Sequence, residues 1–208
     1  MARIGWGKML AGAVGVGAGL AAAGAAWFYL REKGIETPPH ETLDSDGAFE
    51  IRQYPAILVA ETIQPGSRDR ALGNGLGLLA DYFFAESRDG DEVAMTAPLF
   101  AVKGGNGWTM RIATPARLTR DDLPAPGDGV AIVEIPARKM AVLRFGGRAD
   151  DRMLAAKEAE LRRWIEARWL DVVGPIEHAF YNSPVMPGPL RSNEVMIAIT
   201  ERMAETAI

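Results

Sequence analysis

The feature that most limits the folds open to this chain is an internal repeat. Ile51-Arg-Gln-Tyr-Pro-Ala56 is matched by Ile132-Val-Glu-Ile-Pro-Ala137, 81 residues on. Pro98 precedes Met110 by twelve residues, and Pro184 precedes Met196 by the same interval, now at an offset of 86. Each Pro-Ala pair is followed by an apolar, strand-like run and then by a helix-like segment. The expected order is strand, helix, strand, strand, met twice. Two copies are too few for a solenoid, so the repeat predicts one pseudo-symmetric domain.

In the first copy, Phe49 to Thr62 alternates Glu50 and Arg52 against Phe49 and Ile51, then turns apolar through Ile57, Leu58 and Val59. This predicts a strand, bent or at an edge near Pro55, which lacks a ladder donor. Ser67 is placed to cap a helix whose Leu72, Leu76, Leu79 and Phe83 step by four, three and four along one face. Gly73, Gly75 and Gly77 interrupt it, each costing about 1 kcal/mol relative to alanine. Two accounts stand open: a strand passing very close, or a flat ligand against bare backbone. Lys103-Gly-Gly-Asn-Gly107 predicts a hairpin into a strand with Trp108, Met110 and Ile112 on one face. Residues 123–129 form the linker between copies. In the second copy, residues 130–135 and 140–145 read as strands. Asp150 caps a helix with a stripe of Leu154, Leu161, Trp164, Ile165 and Trp169, ended by Gly174-Pro175. His178 is expected at a strand start, before a loop over 185–190 and a last strand over 193–200.

Composition narrows the function. The formal net charge is −4, and setting aside the two cations Arg3 and Lys8 makes it −6. An acidic domain without a basic stripe is a poor partner for nucleic acid, whose binding rests on phosphate neutralisation. The absence of cysteine excludes disulfides, thiolate zinc sites, iron–sulfur clusters, a cysteine nucleophile and thioether-linked haem. There is no Gly-x-Ser-x-Gly elbow or His-Glu-x-x-His, and only two histidines could serve as bases. Glu50, Glu61, Glu134 and Glu194 alternate with apolar residues and read as outward strand positions. His178, three residues before Tyr181 and beside a Met- and Pro-rich loop, is the one side chain of chemical interest.

Residues 1–33 read as a separate segment. Met9 to Leu30 holds 22 residues without a charge, about 33 Å as a helix, close to the ~30 Å of a bilayer core. Trp27, Phe28 and Tyr29 sit where an interfacial belt would lie. Ala11, Gly15, Gly19 and Ala23 form a small-residue face suited to weak self-association. The expectation is an uncleaved single-pass anchor with an extracytoplasmic domain. The rival is a signal peptide cleaved near Ala21–Ala23, and lysine and arginine, two on each side, do not decide sidedness. Residues 34–47 read as a Pro-rich spacer.

Phe49-Glu-Ile-Arg-Gln-Tyr-Pro-Ala56, Leu78-Leu-Ala-Asp-Tyr-Phe-Phe84, Val93-Ala-Met-Thr-Ala-Pro98, Tyr181-Asn-Ser-Pro184 and Arg191-Ser-Asn-Glu-Val195 together resemble the SOUL haem-binding protein family. The resemblance runs in order from Phe49 to Thr200. It implies an α+β domain over residues 48–202, a distorted antiparallel β-barrel or open sheet built from two pseudo-symmetric βαββ repeats with two helices. It also implies non-covalent binding of haem or another porphyrin in a shallow apolar groove against the first helix, and it brings no catalytic residues. The site expected from it comprises Leu72, Leu76, Leu79 and Phe83 under the macrocycle and Met186 on the closing loop. The propionates are expected near solvent within reach of Arg68, Arg70 or Arg191, with His178 as the metal ligand. Ser183 stands where many members carry proline, and Ser192 where many carry a second arginine. Two other readings use the same groove: an interaction or regulatory module for a small apolar ligand or peptide, and a haem-modifying or hydrolytic enzyme.

Overall fold

The computed structural model describes residues 34–105, 107–183 and 186–202. The expected membrane segment falls outside them; among the described residues, no helix is long and apolar enough to cross a membrane. Those from Glu36 onward form one compact unit. Its strands are β1 (Glu41–Asp46), β2 (Phe49–Tyr54), β3 (Ile57–Gln64), β4 (Leu99–Gly104), β5 (Gly107–Ala113), β6 (Ala131–Ile135), β7 (Arg138–Gly146), β8 (Leu170–Phe180) and β9 (Ser192–Glu201). Helix α1 spans Arg68–Phe84, between β3 and β4, and α2 spans Asp151–Ala167, between β7 and β8.

All nine strands pair antiparallel in one sheet, in the order β1-β2-β7-β9-β8-β4-β5-β3-β6. From β2 to β6 that order reads the same from either end once each element is exchanged for its counterpart in the other copy. The pseudo-dyad passes between β4 and β8. Each copy contributes two strands before its helix, and these belong to different places. β2 pairs with β7 of the second copy, while β6 pairs with β3 of the first. Only Pro55 and Ala56 join β2 to β3, although five strands separate them in the sheet. Two residues span ~11 Å at most between the flanking Cα atoms, so the sheet curls strongly without closing into a barrel.

Both helices lie on one face. Leu79, Tyr82 and Phe83 of α1 pack on Ala60, Ala101, Met110 and Ile112. Leu154, Leu161 and Ile165 of α2 pack on Ala141, Leu143, Val195, Ile197 and Ile199. Strand alternation turns Tyr54, Phe100, Met140, Val142, Ala179 and Met196 to the other face. The Thr96-Ala-Pro98 motif fastens the incoming chain to this sheet: Thr96 Oγ1 donates to the Ala113 carbonyl at 2.6 Å, and Ala97 N donates to that of Glu36 at 2.9 Å.

Several expectations are corrected. The polar spacer contains β1, every residue of which is exposed; a strand added to a sheet edge needs no apolar face, so its polarity misleads. The single strand expected over 49–62 is two strands. Gly174-Pro175 does not end α2, which stops at Ala167; the pair lies inside β8, where the register with β9 shifts between Val172 and Ile176. Trp169 leaves the α2 stripe, with φ +56° and 73% exposure. The intervals Pro98–Met110 and Pro184–Met196 are not equivalent either. Pro98 precedes β4, whereas Pro184 follows β8; Met110 faces the helices and Met196 the opposite side. Equal spacing with unequal parity puts side chains on opposite faces of a strand.

Candidate functional site

Helix α1 carries four of the expected site residues, and they divide. Leu79 and Phe83 are fully buried in the core beneath the helix, so neither has surface to offer a ligand. Leu72 and Leu76 are half-buried on its flank. The three glycines divide as well. A Cβ on Gly75 would stand 2.7 Å from Met110 Cγ on β5, the close strand approach anticipated for the motif. A Cβ on Gly73 or Gly77 would meet nothing within 4 Å. At 100° per residue, Leu76, Gly73, Ala80, Phe84 and Gly77 form a continuous outward strip that is apolar and low. Phe84 is 46% exposed.

His178 does not open a strand; it lies inside β8, paired opposite Ala101 and Val195, and is 4% exposed. Its Nε2 is 2.6 Å from Glu158 Oε1 on α2. Trp108 and Phe180 pack beside the ring, at 5.8 and 6.3 Å between centroids. Burial pushes the imidazole below its usual range; Glu158 opposes this, and Arg68 reinforces it. Met186 is buried, and its carbonyl accepts from Arg191 Nε at 2.8 Å. This loop folds back on the approach to α2, where Gly147 N donates to the Arg191 carbonyl and Gly188 nears Arg148. The expected set is thus scattered: Leu72 and Leu76 lie on the flank of α1, Leu79, Phe83 and Met186 are core, and His178 is held beneath α2.

The face turned away from the helices carries a polar network that the alternating pattern disguised. Glu50 and Glu194, expected to point outward, are 7% and 4% exposed, and Arg52 between them 2%. Arg52 Nε donates to Glu50 at 2.6 Å, its Nη2 to Glu194 Oε1 at 2.8 Å and its Nη1 to Glu194 Oε2 at 3.1 Å and Tyr54 Oη at 3.0 Å. Tyr181 Oη donates to Glu194 at 2.7 Å, and Arg144 pairs with Glu50 at 2.6 Å. Burial, then the neighbouring Glu194 carboxylate, raises the Tyr181 phenol well above its ordinary range. These groups floor a cleft of about 570 Å³ rimmed by His40, Thr42 and Phe145. With both carboxylates paired to arginines, the network ties β2 to β7 and β9 through side chains.

A tetrapyrrole presents a flat apolar ring and, at one edge, carboxylates. The bare strip of α1 fits the ring. Buried Arg68 at the start of α1, whose Nε and Nη1 make no hydrogen bond, fits the acid edge. His178 fits iron poorly as it stands, since Glu158 holds Nε2 and Nδ1 is buried without a partner. A search of families finds a match to the SOUL heme-binding protein family over residues 35–198. No curated protein matches. Among solved structures, the chain is similar to the C-terminal domain of EcmrR, with 12% identity, TM-score 0.56, and 74% of this chain and 98% of that one covered. It is also similar to a hydrolase from Listeria innocua, with 12% identity, TM-score 0.54, and coverage of 76% and 94%. At such identities the likeness is one of fold alone.

Proposed function

This chain belongs to the SOUL heme-binding protein family, and from that membership we propose that it binds haem or a related porphyrin non-covalently along α1, without catalysis. The observation that supports the reading most is the outward strip of α1, where Gly73 and Gly77 leave backbone bare between Leu76, Ala80 and Phe84. Glycine inside a helix is a cost, and neither of these two is explained by packing. A planar ring laid there buries apolar surface at ~25 cal/mol per Å² and needs no iron bond. Haem, when bound, would supply any redox or ligand-binding chemistry; the chain's residues would orient it and hold its acid edge. The same proposal places the domain outside the cytoplasm, on an anchor formed by residues 1–33, joined by the stretch over 34–40. Titration with haemin tests the binding: a Soret band that shifts and saturates at one equivalent supports it, and a spectrum identical to free haemin sinks it.

A further inference from the structure

Among the described residues, the buried side-chain nitrogens without a hydrogen-bond partner are Arg68 Nε, Arg68 Nη1 and His178 Nδ1. They gather beneath one face of α2. Arg68 Nη1 lies 3.2 Å from Asp151 Oδ1, an ion-pair distance without hydrogen-bond geometry, while His178 meets Glu158. Asp151 and Glu158 are seven residues apart, two turns along one helix face and ~10 Å in rise. Arg68 is also the first residue of α1, whose N-cap Ser67 makes no side-chain bond to the amides behind it. The positive end of a 17-residue helix and an under-used guanidinium therefore stand beside Asp151 at the start of α2, with the buried imidazole held by Glu158 two turns further along the same helix face.

Arg68 itself is 7% exposed, yet the two carboxylates that touch it, Asp69 at 3.1 Å and Asp151, have side chains 83% and 88% exposed. Such partners are held weakly, because water competes for them and their side chains lose freedom when fixed. A buried donor left unpaired is a standing cost. An incoming carboxylate that accepts from both Nε and a terminal nitrogen in the forked geometry relieves that cost and releases both aspartates to solvent. We propose that Arg68 is the acid-recognising residue of the ligand site, exchanging Asp69 and Asp151 for a carboxylate carried by the ligand. Resting on the tetrapyrrole reading, that carboxylate is a propionate, reaching over Leu72 from a ring on the outward strip, whose near edge is Leu76. A small free carboxylate shares the chemistry and lacks only the apolar surface, so it occupies the same guanidinium at much higher concentration.

The test uses the full chain with iron-free protoporphyrin, its dimethyl ester and sodium propionate. Arg68→Met should weaken the free acid by about tenfold or more, the scale of a lost charge-assisted hydrogen bond, and leave the ester unchanged. Arg68→Lys should recover part of the loss, and Asp69→Asn with Asp151→Asn should tighten the acid alone. Equal loss for acid and ester, or none for either, overturns the inference. Should neither porphyrin bind the unaltered chain, the tetrapyrrole reading fails separately. Propionate then decides the matter: a raised melting temperature in the unaltered chain but not in Arg68→Met supports the inference, and no rise in either overturns it.

Discussion

The glycines of α1 allow one prediction to be worked through. Replacing Gly77 with alanine removes the helix-interior penalty of about 1 kcal/mol, and the new methyl meets nothing within 4 Å. The variant should be stabilised by about that amount, a rise of ~2–4 °C in melting temperature for a domain of this size. At Gly75 the same gain is opposed. The methyl would land 2.7 Å from Met110 Cγ and 3.2 Å from its Cβ, and Met110 is fully buried under the helix. Those atoms lie near the root of the side chain, so yielding means shifting the residue within a packed core, typically ~1–3 kcal/mol. Net destabilisation by up to ~2 kcal/mol is expected. Ligand binding should separate the pair in the opposite sense: Gly77→Ala lifts a flat ring from the backbone and weakens porphyrin binding several-fold while stabilising the fold. Urea and thermal melts with protoporphyrin fluorescence give both readouts. Equal stabilisation at the two positions would refute the close-approach account, and unchanged binding in Gly77→Ala would refute the bare-strip account.

Three further outcomes follow from the buried polar groups and the strand exchange. Burial holds the folded His178 below its ordinary pKa of 6.5, so the unfolded chain takes a proton where the folded chain does not. Its contribution is therefore complete above 6.5 and is lost as pH falls toward the lowered folded value; His178→Gln should flatten that decline in melts between pH 7.5 and 5. Arg52→Leu should cost on the order of 3–5 kcal/mol in urea unfolding, since it strands Glu50 and Glu194 in the interior; Arg202→Ala, at the exposed pair with Asp171, should cost under ~1 kcal/mol. A fragment covering residues 48–125 lacks β7 for β2 and β6 for β3, so it should show no cooperative transition, and a sharp one would overturn the exchanged architecture.

The strand–helix–strand–strand order from β3 to β5 and again from β7 to β9 was legible because the repeat recurs in sequence and because both helices show an apolar stripe. The exchange of β2 and β6 was not, since pairing depends on how far the sheet curls, and a Pro-Ala pair reads equally as a bend within one strand. The burial of Glu50, Arg52 and Glu194 was hidden for a related reason: alternation tells which residues share a face and is silent about which face sees water. Glu158 could have been found. It occupies the stripe Leu154, Glu158, Leu161, Ile165, spaced by four, three and four, where a lone carboxylate demands a partner, and His178 is that partner. Leu79 and Phe83 shared a stripe with Leu72 and Leu76, and the stripe alone could not separate core from ligand surface, because both want the same residues.

The most direct test of porphyrin binding along α1 compares haemin with iron-free protoporphyrin on the full chain, its Leu76→Asp variant and its His178→Ala variant, with circular dichroism confirming that each is folded. Leu76 is half-buried on the flank of α1, so a charge there can reach water without unfolding the helix while facing the ring. The account predicts that both porphyrins bind within about tenfold of each other, or ~1.4 kcal/mol. It further predicts that Leu76→Asp abolishes both, and that His178→Ala alters binding only modestly. Abolition of haemin binding by His178→Ala with Leu76→Asp harmless would contradict it.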